Sequence, residues 1–243
     1  YYPHLNRLYR SLSELKIEPP IAKRTYLFHI KNIIKKNMII NGTVYLQVTR
    51  GVETRDFKYS ENIKSSITII GKIIAENNIK TVVDLGCGDF AVGSLILDCC
   101  ESYNACDVSN VILERNRSKH QSPKLKFEKL DLSKDILPHA DIAFVRQVLQ
   151  HLSNENIKSF VQQLNNSKNF KFLLVTEHIP FDPDFVSNKN KPSGPNIRIV
   201  INSGVILHNE PFNLNFKTME KVLSIDEDTG GSNATIQTTL YKL

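Results

Sequence analysis

At 243 residues, 41% hydrophobic and 23% charged, the chain has the composition of a globular protein, long enough for one large domain or for one domain and an appendage. No apolar run approaches the ~20 residues that span a bilayer, so no membrane partner is expected. The net charge of +6 is carried at the start: residues 1–57 hold ten Lys/Arg against four Asp/Glu, and residues 58–243 hold twenty-one of each; without aromatic interleaving it reads as a solvated lysine-rich surface. No DNA partner is expected, since the chain has neither an Asn/Asp-Pro-Pro-aromatic motif nor a Pro-Cys pair.

Tyr1-Tyr2-Pro3-His4 offers neither the charged nor the apolar region of a secretory leader. His4 to Leu15 has helical spacing, with Leu5, Leu8, Leu12 and Leu15 on one face, and Pro19-Pro20 ends the pattern. Lys23 to Lys36 reads as a second helix. Asn41-Gly42 signals a turn, and Thr43 to Arg50 alternates as a strand does. In order and wording these stretches resemble the small domain of the class IV, pyridoxal-phosphate-dependent aminotransferases, the D-amino-acid type especially. The residues that carry the likeness are His4 to Leu12, Leu15-Lys16-Ile17 and Val44 to Val52. The resemblance implies Arg7 for the cofactor phosphate and Arg55 for the substrate carboxylate; Phe57 stands where that family tends to have a histidine. Nothing after Phe57 resembles the half that supplies the Schiff-base lysine and the acid for the pyridine nitrogen, so no functional pyridoxal phosphate is expected. Residues 1–57 therefore read as an inactive remnant of a gene fusion or truncation. One strand and two amphipathic helices cannot bury their own apolar faces, so the segment is expected to pack on the rest of the chain or on a second copy, as a homo-oligomer contact.

Residues 58–243 read as one working domain. A helix over Tyr59–Asn78 leads into the buried-strand run Thr81-Val82-Val83-Asp84, and the glycine turn Leu85-Gly86-Cys87-Gly88-Asp89-Phe90 follows. Without a Cβ, Gly86 and Gly88 let the main chain bend sharply and approach a ligand closely. A helix over Ala91–Cys100 completes a strand–turn–helix unit, which in an open α/β sheet binds a nucleotide-like ligand at the strand's carboxyl end. Tyr103 to Ser109 is a second strand with Asp107 near its end, nineteen residues beyond Gly88; Leu125 to Leu132 is a third, ending in Asp131-Leu132. Ala140 to Val145 is a fourth, with Arg146-Gln147 at its carboxyl end, and Ser153 starts a helix that runs to Leu164. Lys171 to His178 is the fifth strand. Ile179 to Phe216, rich in proline and asparagine, is long for a connection and is expected to cap the substrate side. Two final strands, Lys221–Asp226 and Ala234–Tyr241, flank a Gly230-Gly231 loop. The cysteines Cys87, Cys99, Cys100 and Cys106 do not have zinc spacing and read as free thiols in a reducing cytoplasm, with the sequons at Asn41, Asn165 and Asn233 unused.

Gly86-Cys87-Gly88-Asp89-Phe90-Ala91 fits the G-x-G-x-x-G/A fingerprint of dinucleotide-binding folds, and Asp84-Leu85-Gly86-Cys87-Gly88 resembles motif I of the class I S-adenosylmethionine-dependent methyltransferases. The second likeness extends further. An acid after the third strand, the segment from Ala140 to Ser153 and a terminal antiparallel hairpin all resemble that family, whereas dehydrogenases typically continue into a catalytic domain. The resemblance implies a Rossmann-like α/β sheet with an antiparallel hairpin, preceded here by a small α+β appendage. It implies S-adenosyl-L-methionine as cofactor, S-adenosyl-L-homocysteine as product, and a small-molecule acceptor. It implies Asp84, Gly86, Gly88, Asp107, Asp131, Leu132, Arg146 and Gln147 around the cofactor.

A base is needed only if the acceptor carries a proton that must leave; His178 is the first candidate and His151, read as one turn into a helix, the second, each set against a structural hydrogen-bonding role. Arg146 is placed either to bind an acidic substrate or to pair with Glu177. Asp89 and Phe90 either touch the methionine end or cap and pack the helix. No metal is expected. A non-catalytic S-adenosylmethionine-binding module and an NAD-linked oxidoreductase are the alternatives.

Overall fold

A computed structural model describes residues 2–14, 22–36, 61–229 and 232–243, and the chain divides into two compact units, Tyr1–Lys58 and Tyr59–Leu243. In the first, α1 (Tyr2–Glu14) and α2 (Lys23–Lys36) are amphipathic. Leu5 and Leu12, two turns apart, are buried, as is Ile30. Tyr9 meets Tyr26 edge-on with ring centroids 6.1 Å apart, and the Lys23 ammonium lies over Tyr9 and donates to Asn6. Arg7 is exposed. The expected strand Thr43–Arg50, together with Arg55 and Phe57, lies outside the described residues.

The second unit is a seven-stranded sheet. Its strands are β1 (Thr81–Leu85), β2 (Ser102–Asp107), β3 (Leu125–Lys129), β4 (Ala140–Arg146), β5 (Phe170–Pro180), β6 (Thr218–Thr229) and β7 (Ser232–Lys242). The order is β3-β2-β1-β4-β5-β7-β6; β1 to β5 are parallel and β7 runs antiparallel between β5 and β6. This is the Rossmann-like class I methyltransferase sheet, hairpin included. The central strands are apolar on both sides because both faces are covered, as parallel sheets require. On one face α3 (Glu61–Glu76), α4 (Ala91–Ile96) and α5 (Asn110–Lys119) set Ile70, Ile73, Ile74, Ile96 and Leu113 against Phe90, Phe127 and Phe144. On the other, α6 (Asn154–Asn166) buries Ile157, Phe160, Val161 and Leu164, which recur at i, i+3, i+4 and i+7.

Three placements near the strand ends differ from expectation. The 91–100 helix is α-helical only to Ile96 and tightens into a 3-10 turn over Leu97–Cys99. β3 stops at Lys129, so Asp131 lies in the turn beyond it, where its main-chain N–H donates to Asp135 and its carboxylate accepts from Ser133. His151 lies not inside a helix but in a separate 3-10 turn, Leu149–His151, ahead of α6, whose N-cap is Ser153.

Residues 181–217 contain one 3-10 turn, Arg198–Ile201, yet they are packed. Val205, Leu207, Phe212 and Leu214 belong to the α6-side core. Buried Asn188, at φ +60°, ties the segment together: its amide donates to the carbonyls of Ile206 and Glu210 and accepts from the Ile206 N–H.

Candidate functional site

The glycine turn leaves the carboxyl end of β1 at the centre of the sheet, beside the ends of β2 and β4. Gly86 stands at φ +89°, and a Cβ there would lie 2.3 Å from Val148 Cγ2. Gly88, at φ +54°, has open space where a Cβ would be. Its N–H donates to Asp107 Oδ2 at 3.1 Å and its carbonyl accepts from Asn116 at 2.7 Å. Asp107 also accepts the Ser109 N–H at 2.9 Å, so the acid at the end of β2 fixes the turn after β1. Phe90, at φ +61° and fully buried, packs edge-on against Tyr103, His120 and Phe127, while Asp89 caps the Ala91 N–H; both side chains serve α4. Burial, then the nearby Asp84 and Asp107, push the Cys87 thiol up, so it stays protonated.

These strand ends surround a cavity of about 410 Å³. Gly86, Gly88, Asp107, Asp131, Arg146 and Gln147 line it. Its apolar walls are Val108, Leu130, Leu132, Val148 and Leu152, and His151 closes one side. The Asp131 carboxyl is held below the ordinary carboxylate range: partial burial opposes this, and the Ser133 hydroxyl and N–H and the Lys134 ammonium outweigh it. Behind Arg146, fully buried Asp84 accepts from the guanidinium at 3.3 Å and from the Tyr103 hydroxyl at 2.9 Å. Arg146 therefore pairs with Asp84 and not with Glu177. Burial alone would lower the guanidinium pKa, but the charge of Asp84 raises it. Gln147 holds φ +56°, an uncommon conformation for a residue with a side chain, and its N–H donates to Thr176 O at 2.7 Å.

The turn that carries Val148, His151 and Leu152 is gripped from two sides. From β5, the Glu177 carboxylate accepts the N–H groups of Leu149 (2.8 Å) and Gln150 (3.0 Å), and His178 Nδ1 bonds the Gln150 side chain at 2.8 Å. Burial pushes the Glu177 carboxyl up to about 8 against those N–H bonds and the charge of Arg198. From the 181–217 segment, Lys191 and the Gly194 N–H donate to the His151 carbonyl, Ser193 accepts from the Ser153 N–H, and Arg198 donates to the carbonyls of Leu152 and Lys189.

Residues 36–190 match the family model described as the O-methyltransferase domain. The chain belongs to that family. It is an S-adenosylmethionine-dependent methyltransferase. The N-methyltransferase NodS from Bradyrhizobium japonicum, solved with S-adenosyl-L-homocysteine, shares the fold: TM-score 0.53 at 12% identity, covering 77% of this chain and 89% of that one. So does the N-terminal domain of EvdMO1, with TM-score 0.52 at 12% identity and coverage of 92% and 98%. Separately, a 53-residue stretch is 40% identical to a D-alanine aminotransferase of Listeria innocua. That match covers 22% of this chain and 18% of the relative, so the methyltransferase shares only a short segment with the aminotransferases. No helix among the described residues is long and apolar enough to cross a membrane, and no group of three His, Cys, Asp or Glu among them is arranged to hold a metal ion.

Of the residues singled out in the methyltransferase sequence, the fold brings Gly86, Gly88, Asp107, Asp131, Leu132, Arg146, Gln147 and His151 to one cavity. Asp84 lies behind it, bonded to Arg146, and His178 lies behind Gln150, away from the lining. The reason is local. Asp84 is still within the strand and covered on both faces, and the Leu149–His151 turn stands over β5 where His178 emerges. Leu85, Val108, Leu130, Val148 and Leu152 complete the lining without being singled out by the sequence; each adjoins a residue that is, and that adjacency is the available signal.

Proposed function

We propose that the methyltransferase acts on a hydroxyl of a small-molecule acceptor, with the donor in the 410 Å³ cavity and residues 1–57 catalytically inert. The observation that carries this reading is that one cavity, of a size suited to a small ligand, joins the glycine turn, two carboxylates, a guanidinium and an imidazole within mostly apolar walls. A purine needs flat apolar walls and a ribose needs an acceptor for its hydroxyls. Val108, Leu130 and Leu132 supply the first; Asp107, with lone pairs beyond those used by Gly88 and Ser109, supplies the second. Asp131 receives the adenine amino group at its half-exposed side. Gly86 and Gly88 let the main chain approach, and Arg146, held by Asp84, takes the methionyl carboxylate beside Gln147. Bound there, S-adenosylmethionine supplies a methyl group on a cationic sulfur.

The remaining work is positional. The acceptor hydroxyl must lie in line with that methyl and give up its proton. His151 is the group on the wall able to take it; its Nδ1 is buried without a protein partner. His178 acts through Gln150 as a positioning residue. We further propose that the aminotransferase-like segment binds no pyridoxal phosphate.

Calorimetry tests the reading. S-adenosylhomocysteine should bind the full chain, and NADH and pyridoxal phosphate should not. Asp107→Asn should weaken that binding about 10- to 100-fold, the loss of one or two hydrogen bonds to a charged group. His151→Phe should leave it intact while abolishing transfer from labelled donor. Binding of NADH in place of S-adenosylhomocysteine would overturn the reading, and undiminished transfer in His151→Phe would remove the base.

A further inference from the structure

Three buried polar atoms without partners lie close together outside the strands. Among the described residues, six buried side-chain atoms lack a hydrogen bond: Asp84 Oδ1, Asn104 Oδ1 and Arg146 Nε lie on the strands β1, β2 and β4, and His151 Nδ1, Asn154 Oδ1 and Arg198 Nε lie together where the 181–217 segment meets the turn before α6. Buried polar groups are nearly always satisfied, so orphans collected in one place mark a site. The charges point the same way. Lys191 Nζ donates to the carbonyl of His151 at 3.2 Å, and Arg198 Nη2 to the carbonyl of Leu152 at 2.6 Å, so two cations sit on successive carbonyl oxygens. Burial and the charge of Arg198 together lower the pKa of Lys191, as expected when like charges are held close. Neither cation is in an ion pair among the described residues. The one carboxyl that Arg198 feels, Glu177, already accepts the N–H groups of Leu149 and Gln150, and burial pushes it up to about 8.

We propose that the methyl acceptor carries an anionic group, a carboxylate or a phosphate, that docks on Lys191 beside Arg198 and so holds the acceptor against His151. The inference rests on the methyltransferase reading of the cavity, because His151 is the shared wall: it lines the donor cavity while its carbonyl carries Lys191. Lys191 keeps two further N–H donors for a ligand. An anion placed there relieves the repulsion between the two cations, which a neutral acceptor does not. Lys191 and Arg198 both lie beyond residue 190, where the match to the family model ends, so the preference belongs to this chain's own cap.

The test titrates inorganic phosphate and, separately, benzoate into the full-length protein saturated with S-adenosylhomocysteine, at constant ionic strength. At least one anion should bind saturably. Lys191→Met should weaken it about tenfold or more, as loss of a charged hydrogen bond implies. Lys191→Arg should retain it, and Lys171→Met, whose lysine pairs with Asp141, should not change it. The anion that binds tells carboxylate from phosphate. If S-adenosylhomocysteine binds and neither anion does, or if Lys191→Met binds as tightly as the parent, the anionic acceptor is ruled out while the methyltransferase reading stands. If S-adenosylhomocysteine itself fails to bind, the underlying reading has failed, and this proposal with it.

Discussion

At Gly86 the main chain runs at φ +89° with the Val148 side chain pressed against it, whereas two residues on Gly88 faces open space. Substitution by alanine should separate the two. Gly88→Ala meets only the strain of a side chain at positive φ, about 1–2 kcal/mol. Gly86→Ala meets that strain and a 2.3 Å clash with Val148 Cγ2, so it should lose more stability and distort the cavity wall. Urea unfolding with S-adenosylhomocysteine titration checks this; equal losses would show that Val148 gives way. Arg146→Met should cost about 3–5 kcal/mol, because it leaves the Asp84 carboxylate fully buried without its cation. Glu177 gives a pH prediction. Its folded pKa of about 8 stands above the ordinary 4.5, so the folded state holds the proton more tightly. The resulting stabilisation is complete below about pH 4.5 and is lost as the pH rises through about 8, at up to about 1.4 kcal/mol per pH unit. Glu177→Gln mimics the neutral acid, so its urea midpoint should fall less between pH 5.5 and pH 8.5 than that of the parent; parallel pH profiles would refute the assignment. The glycines and acids at this site were legible because strand ends and spacing announce them. The inward turn of Asp84 was not, because Tyr103 and Arg146, which hold it, are distant in sequence.

At the scale of elements, the 181–217 segment is the test. Asn188→Ala removes three side-chain hydrogen bonds to main-chain groups of half-buried Ile206 and exposed Glu210, which should cost about 1–3 kcal/mol. Hydrogen exchange should show the Ile206 amide exchanging faster while β1 and β4 keep their protection; exchange unchanged across 181–217 would mean the segment is held otherwise. The sequence showed this stretch as long and proline-rich, but not that it is folded, because its ties join residues about twenty positions apart with no periodicity. The parallel strands were legible for the opposite reason, since burial on both faces writes continuous apolar runs. β3 was read too long because Leu130 and Leu132 are buried like strand residues, although a turn pinned by Asp131, Ser133 and Asp135 carries them.

At the scale of the whole molecule, the question is whether residues 1–58 contribute to the chemistry of residues 59–243. The first unit buries Leu5, Leu12 and Ile30 yet leaves Phe28 62% exposed on α2. A unit of 58 residues has little core, and an exposed aromatic on an amphipathic helix is what self-association would cover. Every residue lining the 410 Å³ cavity belongs to the second unit. The expected outcome has two parts, measured on the full chain and on residues 59–243 alone. Both should bind S-adenosylhomocysteine with the same affinity. In sedimentation the full chain should self-associate at micromolar concentration and the shorter one remain monomeric. Loss of binding on truncation would assign the first unit a part in the cavity, and a monomeric full chain would leave the Phe28 face unexplained by self-association. The family match begins at residue 36, inside the first unit, so a second truncation starting at 36 separates a need for residues 36–58 from a need for α1 and most of α2. If binding survives in both truncations, the aminotransferase-like helices are outside the catalytic machinery, and their contribution is to assembly.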